Sequence, residues 1–145
     1  MKTLGINKSP TQEVLKKRQF PEVFVIMPFS SDLDDIYFLG IREIARILGY
    51  SCLRTDEIEF VGDVRSKILD CISNCKVLIA EVTNKNPNVY YEVGYADALK
   101  KPVILITKHI SSSTFDIIGL NHIIYKNIQD LREKLRNRLQ ALLNP

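Results

Sequence analysis

The stretch KVLIAEVTNKNPNVYYEVGYADALKKPVILI, residues 76–106, decides the fold class. It contains two short apolar runs, at 77–80 and 103–106, in which apolar and polar residues do not alternate. Such runs are typical of strands that are buried on both faces of a sheet. The residues between them, from about 88 to 99, include the small residues that let a helix approach a sheet closely. This pattern predicts two parallel strands joined by a helix.

The same alternation of strands and helices continues on both sides of this stretch. Apolar residues spaced three or four apart predict a helix that stops at Gly49, a second helix with Asp63 at its N-cap, and a last helix from Ile128. Short β-branched runs predict three further strands. These runs lie at 23–27, 50–53 and 122–125.

Five strands joined by right-handed crossovers predict an α/β fold. We expect a three-layer sandwich with a five-stranded parallel sheet in the flavodoxin-like order 2-1-3-4-5. The strands and their crossovers occupy residues 22–145, which we interpret as a single domain. Residues 1–21 precede the first strand and are expected to form an N-terminal arm.

The composition excludes several classes of protein. The chain has 145 residues, 46% of them hydrophobic, and its formal charge of +3 comes from scattered basic residues, which argues against a surface for duplex nucleic acid. No apolar run approaches the roughly 20 residues that span a bilayer, so we expect no membrane association. The start lacks the apolar stretch of a secretory signal, so we expect a cytoplasmic location. The 3 cysteines favour reduced thiols, with neither a metal site nor a cofactor.

The predicted topology also locates a ligand site. In open α/β sheets, ligands bind outside the carboxyl ends of the strands, near the switch point between strands one and three. We therefore expect Glu92 and Asp56 to be the catalytic candidates. The residues expected to bind substrate are Pro28, Phe29, Ser30, Glu81, Thr83, Asn86, Asn88, Tyr91 and Ser112.

Glu92 follows the turn signal Asn86-Pro87-Asn88, in which Asn88 is a candidate cap for the next helix. Glu92 then falls in or just after the first helical turn, where the helix N-terminus favours the anionic form of a carboxyl group. We expect an ionised, accessible carboxylate near neutral pH, which is able to act as a nucleophile. On position alone, the same residue only complements the helix dipole.

The string AEVTNKNPNVYYEVGYADALKKPVILI, residues 80–106, resembles the nucleoside 2-deoxyribosyltransferase superfamily. That superfamily includes the 2'-deoxynucleoside 5'-monophosphate N-glycosidases, in which a similar AEVT segment is followed by YELG and then by a KP or KR strand. The MPF at the end of strand one and the DEI after strand two also resemble the TIR-like nucleotide-binding proteins of bacterial anti-phage defence. The likeness extends over residues 23–125, so the domain at 22–145 is expected to be nucleoside deoxyribosyltransferase-like.

The resemblance implies chemistry at an N-glycosidic bond. In the superfamily, the Glu of the corresponding motif attacks C1' of the sugar, and that Glu matches Glu92. Water resolving the intermediate gives a hydrolase, whereas a second base gives a transferase. The implied partner is a small-molecule nucleotide, nucleoside or NAD. A homo-oligomer is also implied, because these enzymes complete their sites with residues from a neighbouring subunit.

Two positions depart from the superfamily pattern. Deoxyribosyltransferases tend to have an Asp six residues before the nucleophile, where this chain has Asn86, and the N-glycosidases have an acid where this chain has Ile68. Asp56 is then the alternative acid. Because nicotinamide leaves NAD without needing a proton, the missing acid favours NAD-type cleavage over release of a purine.

Three other functions compete with N-glycosidic cleavage. A P-loop hydrolase is excluded, because no GxxxxGK[ST] sequence occurs, and a phosphoacceptor receiver lacks its acidic pair after strand one. The remaining rival is a TIR-like module that senses a nucleotide or builds oligomers without catalysis, in which Glu92 hydrogen-bonds a ribose hydroxyl. Release of a base from candidate substrates would distinguish the enzyme from this module.

Overall fold

The computed structural model describes residues 20–109 and 121–144. The predicted N-terminal arm therefore lies outside the described residues except for its last two positions. Within the described part, five parallel strands form one sheet in the order β2-β1-β3-β4-β5, which confirms the predicted topology. The strands are β1 (Val23–Ile26), β2 (Cys52–Arg54), β3 (Val77–Glu81), β4 (Val103–Thr107) and β5 (Asn121–Ile124).

Helices cover both faces of the sheet. On one face lie a π-helical segment (Ile36–Arg42), its continuation α1 (Glu43–Ile47) and the last helix α4 (Ile128–Leu143). On the other face lie α2 (Val64–Asn74) and α3 (Pro87–Ala98). Short 3-10 turns at Ser31–Leu33 and Thr55–Glu57 follow β1 and β2. The architecture is the expected three-layer sandwich.

The central strands explain why the fold is stable. Every residue of β1, β3 and β4 is buried, because helices cover both of their faces. Alternate residues of β3 therefore enter different cores: Val77 and Ile79 pack with α4, whereas Leu78 and Ala80 pack with α2 and α3. The apolar runs that predicted these strands reflect burial on two sides.

The helix predicted before Gly49 differs from a regular α-helix. Its first half is π-helical, and Gly40 within it lies against Leu131 of α4. A Cβ at position 40 would lie 2.8 Å from Leu131 Cδ2, so glycine permits the close approach of these helices. The helix stops as predicted at Gly49, whose φ of 88° is accessible mainly to glycine. The amide of Tyr50 then bonds to Ala45 O, so β2 begins at Cys52 instead of residue 50.

The three cysteines, Cys52, Cys71 and Cys75, are buried free thiols. Across residues 20–109 and 121–144, no group of three or more His, Cys, Asp or Glu side chains is arranged to hold a metal ion. Nor does any helix in this part of the chain have the length and apolar character needed to cross a membrane.

Candidate active site

A cavity of about 650 Å³ opens at the carboxyl edge of the sheet, between the ends of β1 and β3. It lies on the face covered by α2 and α3, and the first turns of both helices form its walls. This is the switch point at which the sequence predicted a ligand site. Four sequence candidates from the loop after β3 and from α3 line the cavity: Asn86, Asn88, Tyr91 and Glu92.

Glu92 is the carboxylate in the α3 wall of the cavity. Its side chain is partly buried and forms no hydrogen bond or ion pair with any other described residue. Burial raises the pKa of this carboxyl to about 7. A carboxyl group with a raised pKa and no partner, facing a cavity, is typical of a functional site.

The expectation that Glu92 is simply ionised near neutral pH needs correction. With Pro87 as the first residue of α3, Glu92 lies in the second turn, beyond the reach of the dipole effect that falls off within the first turn. Burial then determines the pKa, and near pH 7 the protonated and ionised forms are present in comparable amounts.

The loop before α3 is organised by Asn86. Its side-chain Oδ1 accepts hydrogen bonds from the amides of Asn88, at 2.9 Å, and Val89, at 3.3 Å. Asn86 is therefore the N-cap, and Pro87 occupies the first helical position, where its missing N–H costs nothing. The prediction of Asn88 as the cap was wrong by two residues, because the proline fixes the helix start directly after Asn86.

The opposite wall of the cavity is the start of α2. Asp63 caps this helix as predicted, accepting hydrogen bonds from Arg65 N at 3.2 Å, Ser66 N at 3.4 Å and Ser66 Oγ at 2.7 Å. These donors, Ser66 first, lower the pKa of the Asp63 carboxyl. The Arg65 guanidinium stacks over the ring of Tyr91 at 4.7 Å, which links the two walls.

The loop after β1 contributes two of its three candidates. Pro28 and Phe29 line the cavity, and Phe29 is 76% exposed at its rim. Ser30 instead donates a hydrogen bond to Asp32 and is not part of the lining. Tyr91, 53% exposed, provides a second aromatic ring at the cavity.

Glu81 and Thr83 lie outside the cavity. The Glu81 side chain is 1% exposed and accepts hydrogen bonds from Tyr125 Oη and from the amide of Thr83, the latter at 2.5 Å. Burial and the Glu81 hydrogen bond raise the pKa of Tyr125. The Thr83 hydroxyl accepts a hydrogen bond from Lys108 N at 3.0 Å. Through these hydrogen bonds, Glu81 and Thr83 stabilise the loop after β3.

Asp56, the alternative acid, is also placed elsewhere. Both of its carboxylate oxygens bond to Arg54, at 2.7 and 2.8 Å, and Arg54 in turn reaches Asp34 at 3.0 Å. Asp56 does not line the cavity, although its neighbour Thr55 does. Ser112, the remaining candidate, lies outside the described residues.

Asp63 was predicted as the cap of α2 and was not among the predicted site residues, so the α2 wall of the cavity was not foreseen. A usable signal exists: a helix that follows a strand in a parallel sheet begins at the carboxyl edge, so its first turn borders the ligand site. The apolar part of this wall, including Ile68 and Leu69, depends on the packing of α2 and is harder to foresee.

Comparisons with known proteins support the fold assignment. No protein-family model matches the chain, and no curated protein sequence matches it. Among solved structures, the CMP N-glycosidase BcmB of Clostridium botulinum matches with a TM-score of 0.60 at 19% identity, covering 80% of this chain and 99% of that one. The 2-deoxyribosyltransferase of Bacillus psychrosaccharolyticus matches with a TM-score of 0.57 at 17% identity, covering 75% and 90%.

A third solved structure, from Burkholderia pseudomallei K96243 and described as related to pilus assembly, matches with a TM-score of 0.51 at 14% identity. The match covers 83% of this chain and 90% of that one. At these identities the likeness establishes the fold. The chain has the fold shared by the N-glycosidase and the deoxyribosyltransferase, as the resemblance at residues 80–106 predicted.

Proposed function

We propose that the protein cleaves, or transfers a sugar from, the N-glycosidic bond of a nucleotide, nucleoside or NAD-type compound, with Glu92 as nucleophile. The observation that carries the proposal is the Glu92 carboxyl group itself, which faces the cavity at the switch point without a partner among the described residues. A cavity of about 650 Å³ lies within the usual size range for small-molecule sites.

The reaction needs an anion at the sugar. Cleavage of a C1'–N bond develops positive charge on C1' and the ring oxygen, which an ionised carboxylate stabilises. An oxygen of Glu92 forms a bond to C1', while the electron pair of the C1'–N bond leaves with the base. Water then attacks C1', releases the carboxylate and gives up one proton to solvent, whereas attack by a second base completes a transfer.

The cavity favours a leaving group that needs no proton. Among the described lining residues, the carboxyl groups belong to Glu92 and Asp63, and the pKa of Asp63 is lowered, so it is a poor proton donor near pH 7. Asp56 is held by Arg54 outside the cavity. Nicotinamide leaves NAD as a neutral molecule, so we place NAD-type compounds first among the substrates.

The solved neighbours support the same chemistry. One is a CMP N-glycosidase and another a 2-deoxyribosyltransferase, so both names describe reactions at the bond between sugar and base. The fold also serves a protein related to pilus assembly, so the argument for catalysis rests on the site.

Base release tests the proposal. The protein is incubated with NAD, deoxynucleotides and nucleosides, and the free base is measured by chromatography. Glu92→Gln should reduce release at least a hundredfold, because an amide cannot supply the anion or the covalent bond. Asp97→Asn, at an exposed position of the same helix, is the matched control and should release base at the wild-type rate.

The pH profile adds a second readout. Because Glu92 acts as an anion, kcat/KM should rise as the pH increases through about 7 and level off above it. A rate that falls across this range would assign Glu92 as a proton donor and refute the nucleophile. Binding of nucleotides without release of any base would favour the TIR-like sensing module.

We include a homo-oligomer in the proposal. The cavity lies at one edge of a small sheet, and the side chains at its rim include Phe29, 76% exposed, and Val64, 52% exposed. A second subunit would cover such apolar groups. A mass measurement in solution that returns a monomer at working concentration would overturn this part.

A further inference from the structure

Arg54 is the last residue of β2, and it is only 6% exposed although it carries a charge. Its guanidinium holds carboxylates from two loops: Nε and Nη2 donate to Asp56 at 2.7 and 2.8 Å, and Nη1 donates to Asp34 at 3.0 Å. Asp56 belongs to the turn after β2, and Asp34 belongs to the loop after β1. One side chain thus joins the two loops, and we call these three residues the Arg54 clamp.

The Arg54 clamp lies on the opposite face of the sheet from the cavity. Arg54 pairs in register with Val25, which packs on the face of α4, and its guanidinium stacks on the ring of Tyr37 at 4.6 Å. The cavity lies on the face covered by α2 and α3, where Phe29 from the first loop and Thr55 from the second line it. The clamp therefore holds both loops from behind, and none of its three residues lines the cavity.

Stability alone does not explain a buried arginine. Removing a guanidinium from water is costly, and a well-packed apolar side chain in such a position often stabilises a fold as well or better. The Asp34 and Asp56 side chains are 45% and 37% exposed, so water could solvate both without Arg54. An apolar side chain cannot fix the distance and angle between two loops. A planar guanidinium can, because its donors are fixed in one plane.

We propose that Arg54 is a positioning residue of the candidate site: its clamp fixes the loops after β1 and β2, and thereby the wall that Phe29 and Thr55 contribute to the cavity. The proposal rests on the proposed function only in taking a nucleotide or nucleoside to bind in that cavity. Such a ligand meets a wall that is already ordered, so no affinity is lost in ordering it.

Amide hydrogen exchange, followed by NMR, tests the clamp without any ligand. Each loop has a reporter: the Leu33 amide bonds to Ser30 O at 3.0 Å, and the Ile58 amide bonds to Thr55 O at 3.4 Å. Arg54→Lys keeps the charge, but a single ammonium cannot replace the planar fork, so both amides should exchange about tenfold faster. Arg54→Met, which is apolar and of similar length, should have the same effect and is the second variant if Arg54→Lys does not fold.

The two carboxylates of the clamp allow the loops to be tested separately. Asp34→Asn weakens only the link to the loop after β1, so it should speed exchange at Leu33 and leave Ile58 unchanged. Asp56→Asn weakens only the link to the turn after β2, so it should do the reverse. Because both side chains are partly exposed, these variants are expected to fold.

Two comparisons separate positioning from overall stability. Arg132→Lys is the matched control, because Arg132 is also ion-paired, with Glu43 at 3.0 Å, but contacts neither loop. It should leave both reporter amides unchanged. The amides of β3 report on global unfolding, since every residue of that strand is buried. If the Arg54 variants speed exchange in β3 as much as in the loops, the inference is refuted.

Ligand binding gives the functional readout. The variants are made in the Glu92→Gln background, so that turnover does not consume the ligand, and are titrated by calorimetry with NAD, 2'-deoxyadenosine 5'-monophosphate and adenosine. Arg54→Lys should raise the Kd of the tightest of these about tenfold, because the ligand must then order part of a loop itself.

The outcomes distinguish this inference from the proposed function. Unchanged exchange at Leu33 and Ile58, or faster exchange with an unchanged Kd, would refute the positioning role of Arg54. If the background protein binds none of the three compounds, the proposed function fails, whereas faster exchange confined to the two loops still upholds the clamp.

Discussion

Glu92→Gln should make the protein clearly more stable at pH 8 and have a much smaller effect at pH 5. Burial raises the pKa of Glu92 from 4.5 to about 7, so between these values the folded protein binds more protons than the unfolded chain. The free energy of unfolding therefore falls as the pH rises through this window. Because glutamine has no charge to desolvate, the free energy of unfolding of the variant does not fall in this window.

The expected magnitude follows from the size of the shift. A full shift of this size corresponds to about 3 kcal/mol, and solvent screening of a partly exposed group reduces it to about 1–2 kcal/mol. For a domain of this length, that change raises Tm by about 3–6 °C. Urea unfolding of both proteins at pH 5 and pH 8 measures the difference directly.

The control and the refuting result are both specific. Asp97→Asn also replaces an acid by its amide on α3, but at an exposed position, so its effect should be small and equal at both pH values. An equal effect of Glu92→Gln at pH 5 and pH 8, or a destabilised variant at pH 8, would show that burial does not disfavour the Glu92 anion. The desolvation argument for the site would then be wrong.

Three further substitutions test the packing by urea unfolding. Gly40→Ala should destabilise by about 1–3 kcal/mol, because its Cβ would lie 2.8 Å from the buried Leu131 side chain; an unchanged midpoint would contradict this. Gly94→Ala, with no atom within 4 Å of its Cβ, should instead stabilise by about 0.5–1 kcal/mol. Tyr125→Phe should cost about 1–3 kcal/mol by depriving buried Glu81 of a donor, and wild-type stability would refute that.

The sheet could be predicted from the sequence because strands that are buried on both faces consist mainly of apolar residues. β3 and β4 are buried on both faces, and each begins with an unbroken apolar run of four residues, so their existence and parallel pairing could be predicted. The start of β2 could not be predicted in this way, because it depends on the hydrogen bond from Tyr50 N to Ala45 O at the end of the helix. The π-helical turns at Ile36–Arg42 left no signal in the apolar spacing.

Part of the site was predictable and part was not. Strand parity would have excluded Glu81 from the cavity, because it shares a face with Val77 and Ile79, which pack with α4. The raised pKa of Glu92 could not be predicted from the sequence. It arises from burial in the folded protein, to which residues distant in the chain contribute, whereas the dipole effect that the sequence indicated does not reach Glu92 in the second turn of α3.

The two departures from the superfamily pattern acquire a physical meaning in the structure. Asn86, in place of an acid, caps α3 through its side-chain oxygen, a role in which asparagine and aspartate are equally good. Ile68, in place of the other acid, lines the cavity together with Glu92 and contributes to its apolar wall. An ionised acid at either position would add a like charge to a site where burial already disfavours the Glu92 anion. Asn86 and Ile68 therefore add no negative charge near Glu92, which favours the anion that the proposed role of Glu92 as nucleophile requires.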